Sequence, residues 1–227
     1  MPLREWLTEL FFEWGAPLYA CKLAWGPEAR LREQFVDFLP LSPGACVLDV
    51  GCGPAHVARR LVGRGAQIVA VDRSRRMLRW ARRAHVQAGT NGIRFTAAAA
   101  EHLPFPAARF DLTFATTVLY LLPNKQAALA ELRRVTRPGG WVATLDPAAA
   151  LTVEKMRTYA RTARLNPRET RQLVQWAYAA QWYGGFREEE LAGLYGSLGF
   201  ENTILERRLD DLVLFARGRV RSTGVNA

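Results

Sequence analysis

Cysteine is scarce. Cys21, Cys46 and Cys52 are the only three in 227 residues. That is too few for a disulfide framework, and no pair has the spacing of metal ligands. Histidine is equally rare: His56, His85 and His102 stand apart without ligand-like spacing, so no metal is expected. No apolar run reaches the length of a membrane span. No charged-apolar-small leader opens the chain, and internal repeats and low-complexity tracts are missing. These absences argue against a stapled secreted scaffold, a metal centre and an integral membrane protein. A reducing cytoplasm is the expected location.

Lysine is nearly absent too. Only Lys22, Lys125 and Lys155 occur, so arginine carries the formal charge of +10. The densest cluster is Arg73, Arg75, Arg76, Arg79, Arg82 and Arg83. On a helix, Met77, Leu78, Ala81 and Ala84 would face a core, and Arg75, Arg79 and Arg82 would share the outer face. The other arginines are scattered, which favours a solvated surface over a track for nucleic acid or anionic lipid. Hydrophobic content of 49% and charge of 23% are globular values. The length suits one large domain, or a domain with a small appendage.

What is present is a phased pattern. Val47-Leu48-Asp49-Val50-Gly51-Cys52-Gly53-Pro54-Ala55 reads as a strand ending in an acid, followed by a glycine turn. A short helix follows, and then a second apolar run, Ile68-Val69-Ala70-Val71, ends in Asp72. Glycine serves where backbone approaches a ligand closely or takes a positive φ. A carboxylate at the tip of the second strand can accept hydrogen bonds from ribose hydroxyls, so the unit is one that binds an adenosine-containing molecule. The nicotinamide fingerprint would need a third glycine where His56 stands. Asp49, just before the glycines, suits a cationic ligand better than a pyrophosphate. S-adenosylmethionine, with a sulfonium and an ammonium against one carboxylate, is such a ligand.

Asp49-Val-Gly51-Cys-Gly53-Pro-Ala55 resembles the first motif of class I S-adenosylmethionine-dependent methyltransferases, with alanine in place of the last glycine. The resemblance continues for about a hundred residues. Val69-Ala-Val-Asp72-Arg73-Ser74 is similar to the second motif, with Met77 beyond it. Ala100-Glu101-His102-Leu103-Pro104-Phe105 is similar to the third, around the adenine, but Ala99 stands where an acid is common. Phe110 to Phe114 resembles the fourth strand, and Leu132 to Gly140 the helix end and turn before the fifth. Trp14 to Tyr19 resembles the lid start of ubiquinone/menaquinone-type members. The resemblance implies that S-adenosylmethionine is held by Tyr19, Asp49, Gly51, Cys52, Gly53, Asp72, Arg73, Met77, Ala100, Glu101 and Thr116. Cys52 would contribute its backbone rather than its thiol.

The expected fold is α/β: a doubly wound, mostly parallel, seven-stranded sheet of the Rossmann-like methyltransferase type. Strands are expected near 46–50, 67–71, 93–96, 111–115 and 141–145, with helices near 55–63, 74–88 and 125–136. Residues 1–40 form an N-terminal helical lid, 41–218 the cofactor-binding domain with a helical insert at 148–187, and 219–227 a flexible tail. A break falls at Gly184-Gly185. Closing antiparallel strands are expected over 202–205 and 212–216, joined by an acidic turn at Asp210-Asp211.

A sulfonium methyl is already electrophilic, so the protein chiefly aligns donor and acceptor and excludes water. His102, Tyr120 and Asp146 are candidate general bases, and none is assigned as catalytic. The expected activity is methyl transfer to an oxygen, nitrogen or carbon of a small molecule. Second to it stands a membrane-associated quinone or phospholipid, with peripheral membrane contact. A nucleic-acid substrate stands third, because the end of strand four, Ala115 to Tyr120, lacks the motif that grips a flipped base. In the insert, Tyr159, Trp176, Tyr178, Trp182 and Tyr183 stand at helical spacing, which favours core over a cage for a flat or cationic acceptor. No oligomeric state follows from the sequence.

Overall fold

Val47, Leu48 and Val50 are shielded on both faces of strand β1 (Cys46–Val50), and two-sided burial puts this strand at the centre of a sheet. The computed structural model describes residues 25–87, 89 and 91–222. Tyr19 and most of the expected lid therefore lie outside the described residues. The elements run α1 (Gly26–Phe38), β1, α2 (His56–Val62), β2 (Gln67–Asp72), α3 (Arg75–Gln87), β3 (Ile93–Ala97) and β4 (Phe110–Thr116). After a 3-10 turn at Leu119–Leu121 come α4 (Lys125–Val135), β5 (Thr136–Pro147), α5 (Val153–Thr162), α6 (Pro167–Tyr183) and α7 (Glu188–Ser197). The antiparallel pair β6 (Phe200–Arg208) and β7 (Val213–Val220) closes the series.

The sheet order is β3-β2-β1-β4-β5-β7-β6. β1 pairs in parallel with both β2 and β4, while β7 is antiparallel to β5 and β6. The expected doubly wound sheet thus forms, and its order reverses between β1 and β4. At that switch the two crossovers depart to opposite sides and leave a crevice beyond the carboxyl ends of the strands.

Successive strand residues face opposite layers. Val47, Ile68 and Phe114 pack with Phe35 of α1, Leu61 of α2 and Leu173 of α6. Leu48, Val50 and Val142 pack on the other side with Leu129 and Leu132 of α4 and Tyr195 of α7. Phe35 anchors α1 edge-on to Phe215, with centroids 5.2 Å apart. Its full burial contributes roughly 1.5–3 kcal/mol. Helix α6 starts sharply because Asn166 caps it reciprocally with Glu169, and Pro167 needs no donor there.

Three boundaries differ from the sequence expectation. Pro138-Gly139-Gly140 is an excursion inside β5, not a turn before it, since pairing passes from Phe110–Thr136 to Leu112–Trp141. The closing strands are longer than 202–205 and 212–216. Arg219 and Val220, expected in the tail, belong to β7 because they pair with Trp141 and Phe200. The acidic turn stands as expected, with Leu209, Asp210 and Asp211 all at positive φ.

Candidate active site

The turn after β1 is fixed by its backbone. Gly51 has φ +68°, and a Cβ built there would lie 2.3 Å from Val118 Cγ2. No side chain fits that position in this backbone, so the chain passes β4's loop closely. Gly53 and Ala55 also have positive φ, 50° and 58°. The Cys52 N–H donates to the Val71 carbonyl at 2.9 Å, tying the turn to β2. The Asp72 carboxylate then holds two segments together: Oδ2 accepts the Gly53 N–H at 2.8 Å, and Oδ1 accepts the Ser74 N–H at 2.9 Å. The Ser74 hydroxyl in turn accepts the Met77 N–H at 3.0 Å and starts α3. Asp72 thus organises the loop, binding the glycine turn to the start of α3.

Asp49 is 1% exposed, and its Oδ1 has no hydrogen-bond partner among the described residues. Burial, then the charge of Asp72, pushes its pKa well above the ordinary carboxylate value, while Arg32 pulls it back. Arg32, on α1, is itself nearly buried, donates to the Glu28 carbonyl at 3.0 Å and lies 3.5 Å from the Glu28 carboxylate. A buried carboxylate oxygen without a donor is costly unless a cation or donor arrives. Burial and the same two acids push the Cys52 thiol up, which keeps it protonated and unreactive.

The loop after β3 is held from α4. Glu131 Oε2 accepts the Leu103 N–H at 2.9 Å. Arg134 donates to the Leu103 and Phe105 carbonyls at 3.0 and 2.9 Å and is clasped by Glu131 at 2.6 Å. This pair fixes the run that carries Ala100 and Glu101. Sequence reasoning passed over it, because an acid and a base three apart on a helix look like an ordinary surface pair.

Past β4, Thr117 takes φ +57° and its N–H donates to the Leu145 carbonyl at 2.6 Å. The 3-10 turn sits on Asp146, which ends β5 fully buried, with Oδ1 accepting the Tyr120 N–H at 3.2 Å. Burial outweighs this bond and the charge of Lys125, and raises the Asp146 pKa to about 8.

These elements enclose one cavity of about 860 Å³ at the carboxyl ends of β1, β2 and β4, well within the range of small-ligand sites. Every sequence-predicted site residue among the described residues lines it: Asp49, Gly51, Cys52, Gly53, Asp72, Arg73, Met77, Ala100, Glu101 and Thr116. Of the candidate bases only Tyr120 lines it, while His102 and Asp146 do not. Of the insert's aromatics only Tyr183 reaches it, its ring edge-on to Tyr120 with centroids 6.1 Å apart. Trp176 is core, and Tyr178 and Trp182 are 58% and 56% exposed. Sequence reasoning missed Arg32, Lys125 and Glu190, which join the cavity only through tertiary packing.

Residues 48–144 match the methyltransferase domain family. A malonyl-[acyl-carrier protein] O-methyltransferase of Pseudescherichia vulneris is 39% identical over 119 residues, which is 51% of this chain and 45% of that protein. The chain thus spans about half the length of that relative. The 27-O-demethylrifamycin SV methyltransferase of Amycolatopsis mediterranei is 27% identical over 192 residues, 71% of each. Among solved structures, phosphoethanolamine N-methyltransferase 2 of Haemonchus contortus, in complex with S-adenosyl-L-methionine, superposes with a TM-score of 0.74 at 15% identity. That match covers 98% of this chain and 60% of that one, and is a likeness of fold.

Proposed function

We propose that this chain, a class I S-adenosylmethionine-dependent methyltransferase by its matched domain and its sheet, moves a methyl group onto a small-molecule acceptor. The observation that carries the reading is the cavity at the sheet's switch point, walled by an acid from β1 and an acid from β2. When bound, S-adenosylmethionine supplies an electrophilic sulfonium methyl. The residues suit it. Asp72, at the tip of β2 on the cavity wall, suits the ribose hydroxyls as a charged acceptor. The unpartnered oxygen of Asp49 suits a positively charged end. Met77 and Ala100 line the cavity as apolar surface for the adenine, and the Ala100–Glu101 backbone suits its polar edge. Gly51 lets the turn pack against Val118, where a Cβ would lie 2.3 Å from that side chain.

Oxygen is the favoured acceptor atom, because the two relatives described above carry an oxygen in their names. The protein's contribution is alignment and dryness, from a turn too tightly packed to shift. Calorimetry with S-adenosylhomocysteine tests the reading. Asp72→Ala should weaken binding by about 1–3 kcal/mol, from lost charge-assisted hydrogen bonds. An unchanged dissociation constant would remove Asp72 from the site.

One observation favours a second reading, a membrane-associated acceptor. Tyr178 and Trp182 are exposed on α6, next to Tyr183 at the cavity, and amphipathic aromatics suit a bilayer interface. No helix among the described residues is long and apolar enough to cross a membrane. Sedimentation with neutral vesicles, lost in Trp182→Ser, would support contact from one side only.

A further inference from the structure

The cavity has a second end, away from Asp49 and Asp72. It lies between the start of α4 and the meeting of α6 with α7, and is lined by Tyr120, Leu122, Lys125, Tyr183, Glu190 and Leu194. Most of that wall is apolar or aromatic. Among the described residues its one cation is Lys125, in a chain whose positive charge is nearly all arginine.

Lys125 makes no ion pair among the described residues. Its ammonium stands 4.7 Å from the centroid of the Phe186 ring, which holds it in place without neutralising it. The nearby carboxyl, Asp146, is fully buried behind the 3-10 turn and tied to the Tyr120 backbone. With its pKa raised to about 8, Asp146 is largely protonated near neutral pH and leaves the lysine's charge uncompensated. Glu190 lies at the rim, exposed on the first turn of α7. A second negative charge on a ligand would be repelled there.

Resting on the methyltransferase reading above, we propose that this end is a carboxylate subsite: the acceptor is a monoanionic carboxylic acid with an apolar or aromatic body, and Lys125 recognises its carboxylate. A phosphate is a poorer fit. It carries up to two charges and favours forked arginine donors, whereas this end holds a single point-charge ammonium and an acid at its rim. The edge-on pair of Tyr120 and Tyr183 supplies flat apolar surface for the rest of the molecule. Lys125 is therefore a specificity-determining residue that touches substrate rather than cofactor.

The test is calorimetry on the full chain saturated with S-adenosylhomocysteine, using matched probes: trans-cinnamate against cinnamamide, 4-phenylbutyrate against 4-phenylbutyramide, and phenyl phosphate as the dianion. The carboxylates should bind at least tenfold tighter than their amides, and tighter than phenyl phosphate. Lys125→Met should abolish that preference while changing the S-adenosylhomocysteine dissociation constant less than twofold. Lys125→Arg should restore most of it. Equal binding of acid and amide, or a preference that survives Lys125→Met, would overturn the subsite. Phenyl phosphate binding tightest would overturn the carboxylate assignment. Failure of the wild-type chain to bind S-adenosylhomocysteine would instead defeat the methyltransferase reading, and the subsite with it.

Discussion

Asp146→Asn should make the protein more stable at neutral pH. The carboxyl is fully buried, one oxygen accepts the Tyr120 N–H, and the other has no partner among the described residues. Its pKa rises from an ordinary 3.8 to about 8, chiefly through desolvation. The folded state therefore keeps a proton that the unfolded state has already released. Between those two values rising pH costs stability, at up to about 1.4 kcal/mol per pH unit. Below pH 4 both states are protonated and the cost vanishes; above pH 8 both are ionised and it levels off. At pH 7 the accumulated cost is about 4 kcal/mol. Asparagine keeps an oxygen for the Tyr120 N–H and never ionises, so the variant should lose this slope. Other raised acids, Asp49 among them, act equally in both proteins and cancel in the difference. Urea denaturation at pH 5, 6, 7 and 8 reads the effect directly. The gap between variant and wild type should widen with pH up to about 8. A gap that stays constant would show that Asp146 is not held protonated, and the uncompensated charge of Lys125 would lose its basis.

Two further changes probe the cavity's walls. Gly51→Ala places a Cβ 2.3 Å from Val118 at φ +68°. It should cost about 2–5 kcal/mol through left-handed strain and overpacking, and a melting temperature equal to wild type would contradict the close approach. Arg134→Met removes two bonds to the loop carrying Ala100 and Glu101. It should weaken S-adenosylhomocysteine binding by roughly fivefold, about 1 kcal/mol, and speed amide exchange over residues 100–105. Unaltered exchange and affinity would show that the loop stands without the clasp.

The half of the cavity proposed for the cofactor was legible because its chemistry is local. A strand tip, a glycine turn and a helix start lie within a few residues of one another, so Asp49, Gly51, Gly53 and Asp72 announce themselves by spacing. The acceptor half was not. Lys125 starts one helix, Tyr183 ends another and Glu190 lies in the first turn of a third, and nothing in their separation along the chain marks them as neighbours. Helical phase explains the aromatics. Trp176 and Tyr183 fall on the inner side of α6, while Tyr178 and Trp182 fall outside it. The strand ends were misread for a similar reason. Pro138-Gly139-Gly140 looks like a turn in isolation, and only the pairing with β4 on either side of it reveals a strand that spans it.

Ala55 shows how a departure from the motif is absorbed. Its left-handed backbone, φ 58° and ψ 36°, costs roughly 1–2 kcal/mol more than glycine would. Its methyl is fully buried against the core, which offsets roughly 0.8 kcal/mol of that. The strained turn at Ala55, the donorless oxygen of Asp49 and the protonated Asp146 are separate costs to the folded chain, and all of them cluster around one cavity. Natural folds concentrate such violations where a ligand relieves them. Asp49 is relieved by a cation and Lys125 by an anion, so the two ends of the cavity call for partners of opposite charge.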